Sequence, residues 1–462
     1  MKKITLIIIF YLYLPVSNAQ CWSSVSTGGA HTLGIGSDGS LWAWGTASYG
    51  QLGTGNQTNL NVPTKIGSDL DWSKISGGNG HSLALKTDGT LWTWGRNATG
   101  QLGNSSVTTN LNVPTQVNTD TDWIFISAGD EYSMAIKSNN TLWGWGDNVY
   151  SQLGDGTIGL GNMKTTPTQI GTDTDWSFIS TGSTHTMAIK TNGTLWGFGR
   201  NNQGKLGDGT TFDKKLPVQI GTDTNWQTVE ASLGHTVALK TDGSLWAWGD
   251  NTDGQLGNGL SGAAAYQYVP TNIEPGNIFL KITRGLKHTL TKRASGTLWS
   301  WGGNTSGQIG DNTLISKPSP TAVATTFNNW EQISSRASHC AGMKADGTLY
   351  MWGGNLGGQV GDGTNAAKKK PVLIACPTLA NNKYDLTTAF SIHPNPTTNY
   401  LNISLADNET LTKVIVLDIS GKIVLENSEN MNLLNVENLS NGMYIIKIFT
   451  ENKSYQSKFI KN

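Results

Sequence analysis

Six of the seven histidines in this 462-residue chain stand at one position of a repeating pattern. They are His31, His81, His185, His235, His288 and His339, and Tyr132 takes the same place in the third repeat. A catalytic histidine usually occurs once and needs an orienting carboxylate and a nucleophile. A metal site would need several ring nitrogens about 2 Å from one ion. One histidine per repeat therefore predicts a structural role, as hydrogen-bonded struts between neighbouring backbones.

Acidic residues recur in pairs separated by one residue. The pairs are Asp69 with Asp71, Asp120 with Asp122, Asp173 with Asp175, and Asp223 with Asn225. Two such side chains on one face of a strand could bind Ca²⁺, but Ca²⁺ takes about six to eight oxygen ligands and no loop of the EF-hand type follows. We expect these residues to cap turns.

Three Gly-Asp-Gly-Thr segments, beginning at Gly154, Gly207 and Gly361, resemble phosphate-binding loops only superficially, because no Gly-Lys-Ser/Thr follows. An enzyme would also need two or three convergent acids that are each unique to one repeat, and the sequence points to none. We therefore predict no catalytic residue, no metal site and no cofactor, and we predict that the protein is not an enzyme.

The repeats that carry these residues fill positions 22–375. Leu-Trp pairs recur about every 51 residues, and all 18 tryptophans fall in three aromatic positions of the repeat. The first aromatic position is always 9 residues before the histidine position, and the second is always 11 residues after it. Length varies only in the segment after Gly-Gln-Leu-Gly. Such spacing indicates rigid strands joined by one variable loop.

Each repeat reads as four short strands. His81–Lys86 and Thr90–Trp94 alternate apolar and polar residues, and Asp88-Gly89 between them is typical of a hairpin turn. Seven units of four strands predict an all-β fold, a seven-bladed β-propeller over residues 21–376. The pattern Trp-x-x-Ile-Ser…His-Thr…Asp-Gly-Thr-Leu-Trp-x-Trp-Gly, clearest at 72–103, 176–207 and 226–257, resembles the regulator of chromosome condensation repeat.

That resemblance also implies a seven-bladed propeller. The founding eukaryotic member is a nuclear exchange factor that touches chromatin, a role that transfers poorly to this chain. The chain has no basic tail, and its 32 Lys and Arg balance 32 Asp and Glu, so we expect no nucleic acid partner. Secreted bacterial members of the family bind other proteins through one propeller face.

Residues 1–20 read as a secretory signal peptide. Lys2 and Lys3 precede an apolar stretch from Ile4 to Leu14, and Ser17-Asn18-Ala19 resembles a cleavage site. The stretch is too short for a membrane anchor, which needs about 20 apolar residues. Lipidation at Cys21 is an alternative. We expect an exported chain with no transmembrane segment in its mature form.

Residues 390–462, after a linker at 377–389, predict a small immunoglobulin-like β-sandwich, because short alternating apolar runs replace the tryptophan-rich repeats. The segment resembles the type A C-terminal sorting domain of the bacterial type IX secretion system. The matching residues include Pro394, Asn395, Pro396, Gly421, Lys422, Gly442 and Tyr444. The resemblance implies handling by the type IX machinery and a secreted or cell-surface location outside the outer membrane; an ordinary immunoglobulin-like module is the alternative.

Function should reside where the repeats differ. Aromatic residues at variable loop positions are candidates for contacts with an extracellular or surface protein, although packing on their own blade is an equally good interpretation. The candidates are Tyr49, Tyr150, Phe212, Tyr266 and Tyr268. We predict a secreted or surface-attached scaffold that binds a macromolecule through the loops of one face. A glycan-active or other propeller enzyme, or a structural surface or adhesion protein, are the alternatives.

Two of the three cysteines flank the point where the ring must close. Cys21 precedes the first aromatic residue of the first repeat, and Cys376 follows the last repeat. Because export removes the chain from cytosolic reductants, we expect a disulfide between them, with two unpaired cysteines as the alternative. Cys340 follows a histidine on a core strand and is expected to be a buried thiol.

Overall fold

The structure is a computed structural model. It describes residues 21–105, 109–376, 390–405, 410–418, 422–428, 431–450 and 454–462. The chain divides into two compact units, one up to Cys376 and one from Pro377 onwards, which we treat separately. The predicted signal peptide and linker lie outside the described residues.

The first unit consists of seven consecutive four-stranded antiparallel sheets, which confirms the predicted seven-bladed propeller. Blades 1 to 4 comprise β1 (Trp22–Thr27), β2 (His31–Gly36), β3 (Leu41–Gly45), β4 (Leu60–Ile66); β5 (Trp72–Gly77), β6 (His81–Lys86), β7 (Leu91–Gly95), β8 (Leu111–Gln116); β9 (Trp123–Ala128), β10 (Tyr132–Lys137), β11 (Leu142–Gly146), β12 (Lys164–Gln169); and β13 (Trp176–Thr181), β14 (His185–Lys190), β15 (Leu195–Gly199), β16 (Lys214–Gln219).

Blades 5 to 7 comprise β17 (Trp226–Ala231), β18 (His235–Lys240), β19 (Leu245–Gly249), β20 (Gln267–Ile273); β21 (Phe279–Arg284), β22 (His288–Arg293), β23 (Leu298–Gly302), β24 (Lys317–Ala322); and β25 (Trp330–Ser335), β26 (His339–Lys344), β27 (Leu349–Gly353), β28 (Lys368–Ile374). Short 3₁₀ turns lie at Asn202–Gly204 and Ala263–Ala265. In every blade the strands pair in sequence order.

Each apolar core lies between two blades rather than within one. The cluster between blades 1 and 2, for example, joins Leu33 and Leu41 of blade 1 to Trp72 and Trp94 of blade 2. Trp94 is completely buried there. Because an aromatic side chain buries about 150–250 Å², the recurring tryptophans provide most of the apolar surface that holds neighbouring blades together.

Hairpin glycines also fix the packing of one blade on the next. Gly89, in the turn between β6 and β7, has a φ of +80°, which favours glycine. A Cβ atom there would lie 2.0 Å from the carbonyl oxygen of Thr121, which precedes the next blade. The carbonyl of Gly89 accepts a hydrogen bond from the N–H of Trp123. The Asp-Gly turn predicted from the sequence therefore also positions the first strand of the following blade.

The second unit forms two antiparallel sheets around its own core. One contains β29 (Phe390–His393), β30 (Tyr400–Leu405) and β33 (Leu433–Asn435), and the other contains β31 (Leu411–Leu417), β32 (Ile423–Asn427), β34 (Gly442–Thr450) and β35 (Ser454–Lys461). Leu401, Val414, Ile446 and Phe459 are buried in one cluster. In the described part of the chain, no helix has the length and apolar character needed to span a bilayer.

The propeller ring closes without exchange of strands, since blades 1 and 7 are each built from consecutive strands. Across the closure, the N–H of Thr27 donates to Ser334 Oγ at 3.0 Å, and Gln332 Nε2 donates to the carbonyl of Ser23 at 2.9 Å. A disulfide joins Cys21 to Cys376, whose Cα atoms are 5.7 Å apart. It crosslinks two positions separated by 355 residues.

We predict that this disulfide stabilises the ring. The double variant Cys21→Ser/Cys376→Ser should lose up to about 5 kcal/mol of unfolding free energy, since the bridge restricts a very long loop in the unfolded chain. Urea unfolding followed by tryptophan fluorescence measures this loss, because all 18 tryptophans lie in the propeller. Cys340→Ser is the matched control and should unfold like the parent chain. Free thiols at Cys21 and Cys376 in a non-reducing peptide map would contradict the prediction.

Candidate functional site

The recurring histidines link each blade to the next. All six are buried, and each Nε2 contacts the residue that follows the histidine position in the next blade. The contacts are His31–Ser82 (3.0 Å), His81–Ser133 (3.0 Å), His185–Thr236 (3.2 Å), His235–Thr289 (3.2 Å), His288–Cys340 (3.1 Å) and His339–Thr32 (3.1 Å). The struts therefore reach side-chain hydroxyls, and one thiol, rather than backbone atoms.

The side chain that contacts each histidine also donates a hydrogen bond to a main-chain carbonyl of the preceding blade. Ser82 Oγ donates to the carbonyl of Gln51 at 2.9 Å, and the Trp94 indole donates to the same oxygen at 2.8 Å. Because the single hydroxyl proton of Ser82 is used there, His31 must donate from Nε2 to Ser82. The same double donation recurs on Gln101, Lys205, Gln255 and Gln308. In the two remaining blades the carbonyls of Gln152 and Gln359 accept the hydroxyl alone, and we call all seven the shared carbonyls.

Burial keeps these histidines neutral. It lowers the pKa of His31, His81, His235 and His288 to about 3 and that of His339 to about 4, and it lowers the pKa of His185 well below the usual value. An uncharged, fully buried imidazole that already donates to a neighbouring hydroxyl cannot reach a substrate.

The paired aspartates bind a lysine instead of capping turns, so the expected turn-capping role is wrong. Lys86 Nζ lies 2.6 Å from Asp69 Oδ2 and 3.2 Å from Asp71 Oδ1. It also lies 5.0 Å and 4.7 Å from the ring centroids of Trp72 and Trp92. The arrangement recurs at Lys137, Lys190 and Lys240, with Asp223 as the one acid in the last case. A lysine between indoles and carboxylates is a structural cluster.

The strands bring two kinds of loop to one side of the ring, which we call the loop face: those joining the first to the second strand of a blade, and those joining the third to the fourth. Tyr49 and Tyr150 lie there, but each touches the next blade. The Arg96 guanidinium lies 5.2 Å from the Tyr49 ring, and that of Arg200 lies 4.4 Å from the Tyr150 ring. Both tyrosines thus contribute to contacts between blades, although Tyr49 keeps 40% exposure.

The other aromatic candidates differ in exposure. The Tyr266 hydroxyl is 2.9 Å from Thr252 Oγ1 of its own blade and accepts from Gln203 Nε2 of the preceding blade at 3.5 Å, so this side chain also joins two blades. Tyr268, on β20, covers Gly204 of the preceding blade, where an added Cβ would lie 2.4 Å from the ring, and is 43% exposed. Phe212 is 75% exposed. The five residues are spread over blades 1, 3, 4 and 5.

Further apolar side chains are exposed on the loop face. They lie in the third-to-fourth-strand loops of blades 3 to 7, and sequence reasoning singled out only Phe212. The exposed group, which we call the apolar rim, is Ile158, Leu160, Phe212, Leu260, Leu314, Ile315 and Leu356. All of them except Leu356 stand one to four residues after a Gly-Asp-Gly, Gly-Asn-Gly or Gly-Asp-Asn segment. This position was visible in the sequence, but the exposure of the side chains was not.

A ring of serine and threonine hydroxyls lines the axial channel. Each accepts a hydrogen bond from the N–H that ends the first strand of the next blade. These bonds are Gly77–Ser26, Ala128–Ser76, Thr181–Ser127, Ala231–Ser180, Ser335–Thr283 and Thr27–Ser334, all 3.0–3.1 Å. At the seventh interface Glu230 replaces serine, and among the described bonds none joins it to the N–H of Arg284.

Two arginines cross the same channel. Arg284 of blade 6 donates from Nη2 to the carbonyl of Thr181 in blade 4 at 2.7 Å. Arg336 of blade 7 donates to the carbonyl of Ala128 in blade 3 and forms a 3.0 Å ion pair with Asp130. Sequence reasoning missed these residues. Their signal was a charged side chain unique to one repeat, but only the fold shows that these positions face the axis.

The second unit uses its motif residues to build its own sheets. Asn395 accepts from the N–H of Ile460 at 2.9 Å and donates to the carbonyl of Lys458 at 3.1 Å, so its amide pairs with the last strand. The Tyr444 hydroxyl donates to the carbonyl of Ser440, and the ring stacks on Phe459. Pro394, Pro396, Lys422 and Gly442 lie at or beside strand ends. Gly421 lies outside the described residues.

Comparison with known families agrees with this architecture. Residues 126–393, more than half of the chain, match the RCC1-like domain, and residues 22–51, 38–85, 72–101 and 88–136 match regulator of chromosome condensation (RCC1) repeats. The chain belongs to the RCC1-like domain family. Residues 391–462 match the secretion system C-terminal sorting domain, so both expected resemblances are confirmed.

Curated relatives share parts of this RCC1-like propeller. It is 29% identical over 264 residues to the ultraviolet-B receptor UVR8 of Arabidopsis thaliana, a match that covers 55% of this chain and 58% of the receptor. It is 26% identical to the human E3 ubiquitin-protein ligase HERC2 over 40% of this chain, but over only 3% of the ligase. The chain therefore spans about half of the first relative and a small part of the second.

Solved structures show the same fold. The RCC1 (Prp20) chain of the yeast complex with Kap60 aligns with a TM-score of 0.66 at 21% identity, covering 85% of this chain and 91% of that one. Human WBSCR16 aligns with a TM-score of 0.65 at 19% identity, covering 79% of this chain and 99% of that one. Similarity at this level of identity establishes the propeller architecture.

We predict that the buried histidines make the RCC1-like propeller acid-sensitive. In the unfolded chain a histidine binds a proton near pH 6.5, whereas in the folded chain it does so only near pH 3. Stability is therefore complete above pH 6.5 and falls as the pH drops below it, by about 1.4 kcal/mol per pH unit for each histidine. Urea midpoints between pH 7 and pH 4.5, read by tryptophan fluorescence, measure the slope.

Two variants test the assignment. His81→Tyr, which copies Tyr132 of blade 3, should reduce the slope by the share of one histidine. His393→Ala, at an exposed position of the second unit, should leave the slope unchanged. An unfolding free energy that does not vary between pH 7 and pH 5 would contradict the prediction.

Proposed function

We propose that the propeller is a secreted or surface-attached binding protein that docks another protein on its loop face, along the apolar rim of blades 3 to 7. The observation that carries the proposal is the uneven distribution of exposed apolar side chains on a scaffold whose interior is uniform. Leu160, Phe212 and Ile315 expose 88%, 75% and 66% of their surface. Exposed aromatic and large aliphatic side chains on rigid loops suit docking to another protein.

The recurring histidines do not support a catalytic site as the alternative, because their rings are buried and already hydrogen-bonded. Sequence relatives also favour binding: the Arabidopsis protein is a receptor, and the match to the human ligase covers only 3% of its length. Docking onto preformed loops costs little ordering entropy, since the shared carbonyls hold every blade in place. The partner is a protein of the extracellular or cell-surface environment.

The sorting domain supports the location. The match over residues 391–462 indicates export by a secretion system, and the resemblance to the type IX domain supports a location outside the outer membrane. The second unit has its own core. We infer that it acts as a sorting signal and that the propeller carries the binding activity.

Removal of the sorting domain should abolish export. In the producing cells, a chain ending at Cys376 should be absent from the culture medium and the cell surface, because the sorting domain is what the secretion machinery recognises. Immunoblots of cytoplasm, periplasm, outer membrane and medium measure the distribution, with the full chain as the reference. Surface display of the truncated chain would contradict the prediction.

The rim should be required for docking. The variant Leu160→Ser/Phe212→Ser/Ile315→Ser should capture at least about tenfold less of any surface protein crosslinked by the parent chain, because exposed apolar anchors dominate protein interfaces. Its stability should be unchanged, since these side chains are solvated. Quantitative proteomics after crosslinking on intact cells measures the capture.

The matched control changes the opposite side of the ring. Leu70 and Ile278 lie in connections between blades and expose 55% and 53% of their surface. Leu70→Ser/Ile278→Ser removes similar apolar area from that side and should capture partners like the parent chain. Equal loss in both variants, or no loss in the rim variant, would overturn the assignment of the docking surface.

A further inference from the structure

The axial channel contains a cavity of about 230 Å³ whose charged residues come from single repeats. Serine and threonine hydroxyls form most of its polar lining, and Phe125, Phe178 and Ile282 form apolar wall. Glu230, Arg284 and Arg336 are the ionisable groups of the lining. A ring built only for closure would need no charge here, because the hydroxyls already satisfy the strand ends.

The two arginines differ in how their charges are balanced. Arg336 is paired with Asp130 at 3.0 Å. Arg284 is only 6% exposed, and in the described part of the chain its side chain has one hydrogen-bond acceptor, the neutral carbonyl of Thr181. Its Nε has no hydrogen-bond partner. Among the described residues no carboxylate forms a direct ion pair with its guanidinium, although Glu230 and Asp130 act on its charge from a greater distance. A buried cation without a direct ion pair is costly unless an anion can approach it.

Glu230 explains why Arg284 is unsatisfied. At the six other interfaces a hydroxyl accepts the strand-end N–H, but the carboxylate of Glu230 instead accepts from Ser180 Oγ at 3.3 Å. The backbone N–H of Arg284 is left without the partner that its counterparts have. Arg284 and Glu230 both line the cavity, and Glu230 is half-buried.

We propose that the axial channel binds a small carboxylate, whose oxygens accept hydrogen bonds from the guanidinium of Arg284, a residue that lines the cavity. The planar carboxylate matches two neighbouring N–H donors, and bonds of this kind are strong because both partners are charged. The cavity has room for a ligand of a few heavy atoms, with the surrounding hydroxyls and the Phe178 ring around its remaining atoms. This site is independent of the docking surface on the loop face.

Glu230 limits the affinity of this site. Its carboxylate shares the channel with the incoming anion, so the two negative charges repel each other when both are ionised. Burial raises the pKa of Glu230, which reduces the repulsion. A neutral side chain of the same shape at this position should therefore bind a carboxylate more tightly than the native residue does.

The test uses the full chain and acetate as the probe. Isothermal titration with sodium acetate, in sodium chloride buffer of matched ionic strength, should show one site in the parent chain. Arg284→Gln should weaken binding by at least about tenfold, the loss expected for a charged hydrogen bond. Glu230→Gln should strengthen it by a few-fold. Arg96→Gln, an arginine change on the loop face, is the control and should bind like the parent.

A second variant guards against a folding defect. Arg284→Lys keeps the charge but lacks the planar set of guanidinium N–H donors, and it should lose acetate affinity while retaining the tryptophan fluorescence and unfolding midpoint of the parent. Acetate binding that persists in both Arg284 variants, or no binding in the parent and in Glu230→Gln, would overturn the proposal. Binding of inorganic phosphate but not of acetate through Arg284 would show that the ligand class is wrong.

Discussion

One main-chain oxygen per blade organises the propeller. The shared carbonyl in the loop after the third strand accepts the hydroxyl and, in five blades, the indole of the next blade. The histidine of its own blade then donates to that same hydroxyl. Three side chains from two blades thus meet around one acceptor, and none can change its hydrogen-bonding role without leaving another buried group unpaired. The recurrence of tryptophan, serine or threonine, and histidine at fixed spacing follows from this geometry.

The exceptions obey the same constraint. In blade 3, Tyr132 replaces histidine, and its hydroxyl reaches across to the carbonyl of His185 and to Thr186. In blade 7, Cys340 replaces the hydroxyl, and its thiol still contacts both His288 and the carbonyl of Gln308. In blade 4, Phe198 keeps the apolar packing but supplies no donor. Each substitution keeps the contact between blades and alters only its chemistry.

The propeller fold and the sorting domain could be predicted from the sequence because both depend on periodic or local signals. Tryptophan spacing and the Asp-Gly turn at Gly89 report four short strands per repeat, and the motif around Asn395 marks the sorting domain. The lysine clusters could not be predicted in the same way, because Asp69 and Lys86 are 17 residues apart and meet only after the strands have paired. Glu230 and Arg284 are visible as departures from the repeat, but their meeting at the axis depends on ring closure. Exposure of Leu160 or Phe212 likewise depends on what the loop covers, which periodicity does not reveal.

The arginines that cross the axis have a consequence for how such a chain can evolve. Repeat proteins commonly grow or shrink by duplication or loss of whole units, since each unit normally contacts only its neighbours. Here Arg284 joins blade 6 to blade 4, and Arg336 joins blade 7 to blade 3. An added or deleted blade would change the width of the axial channel and the angular distance between these partners. Both guanidinium groups would then be buried without their hydrogen-bond acceptors. The two side chains therefore fit only a ring of this size, and they make a change from seven blades unfavourable.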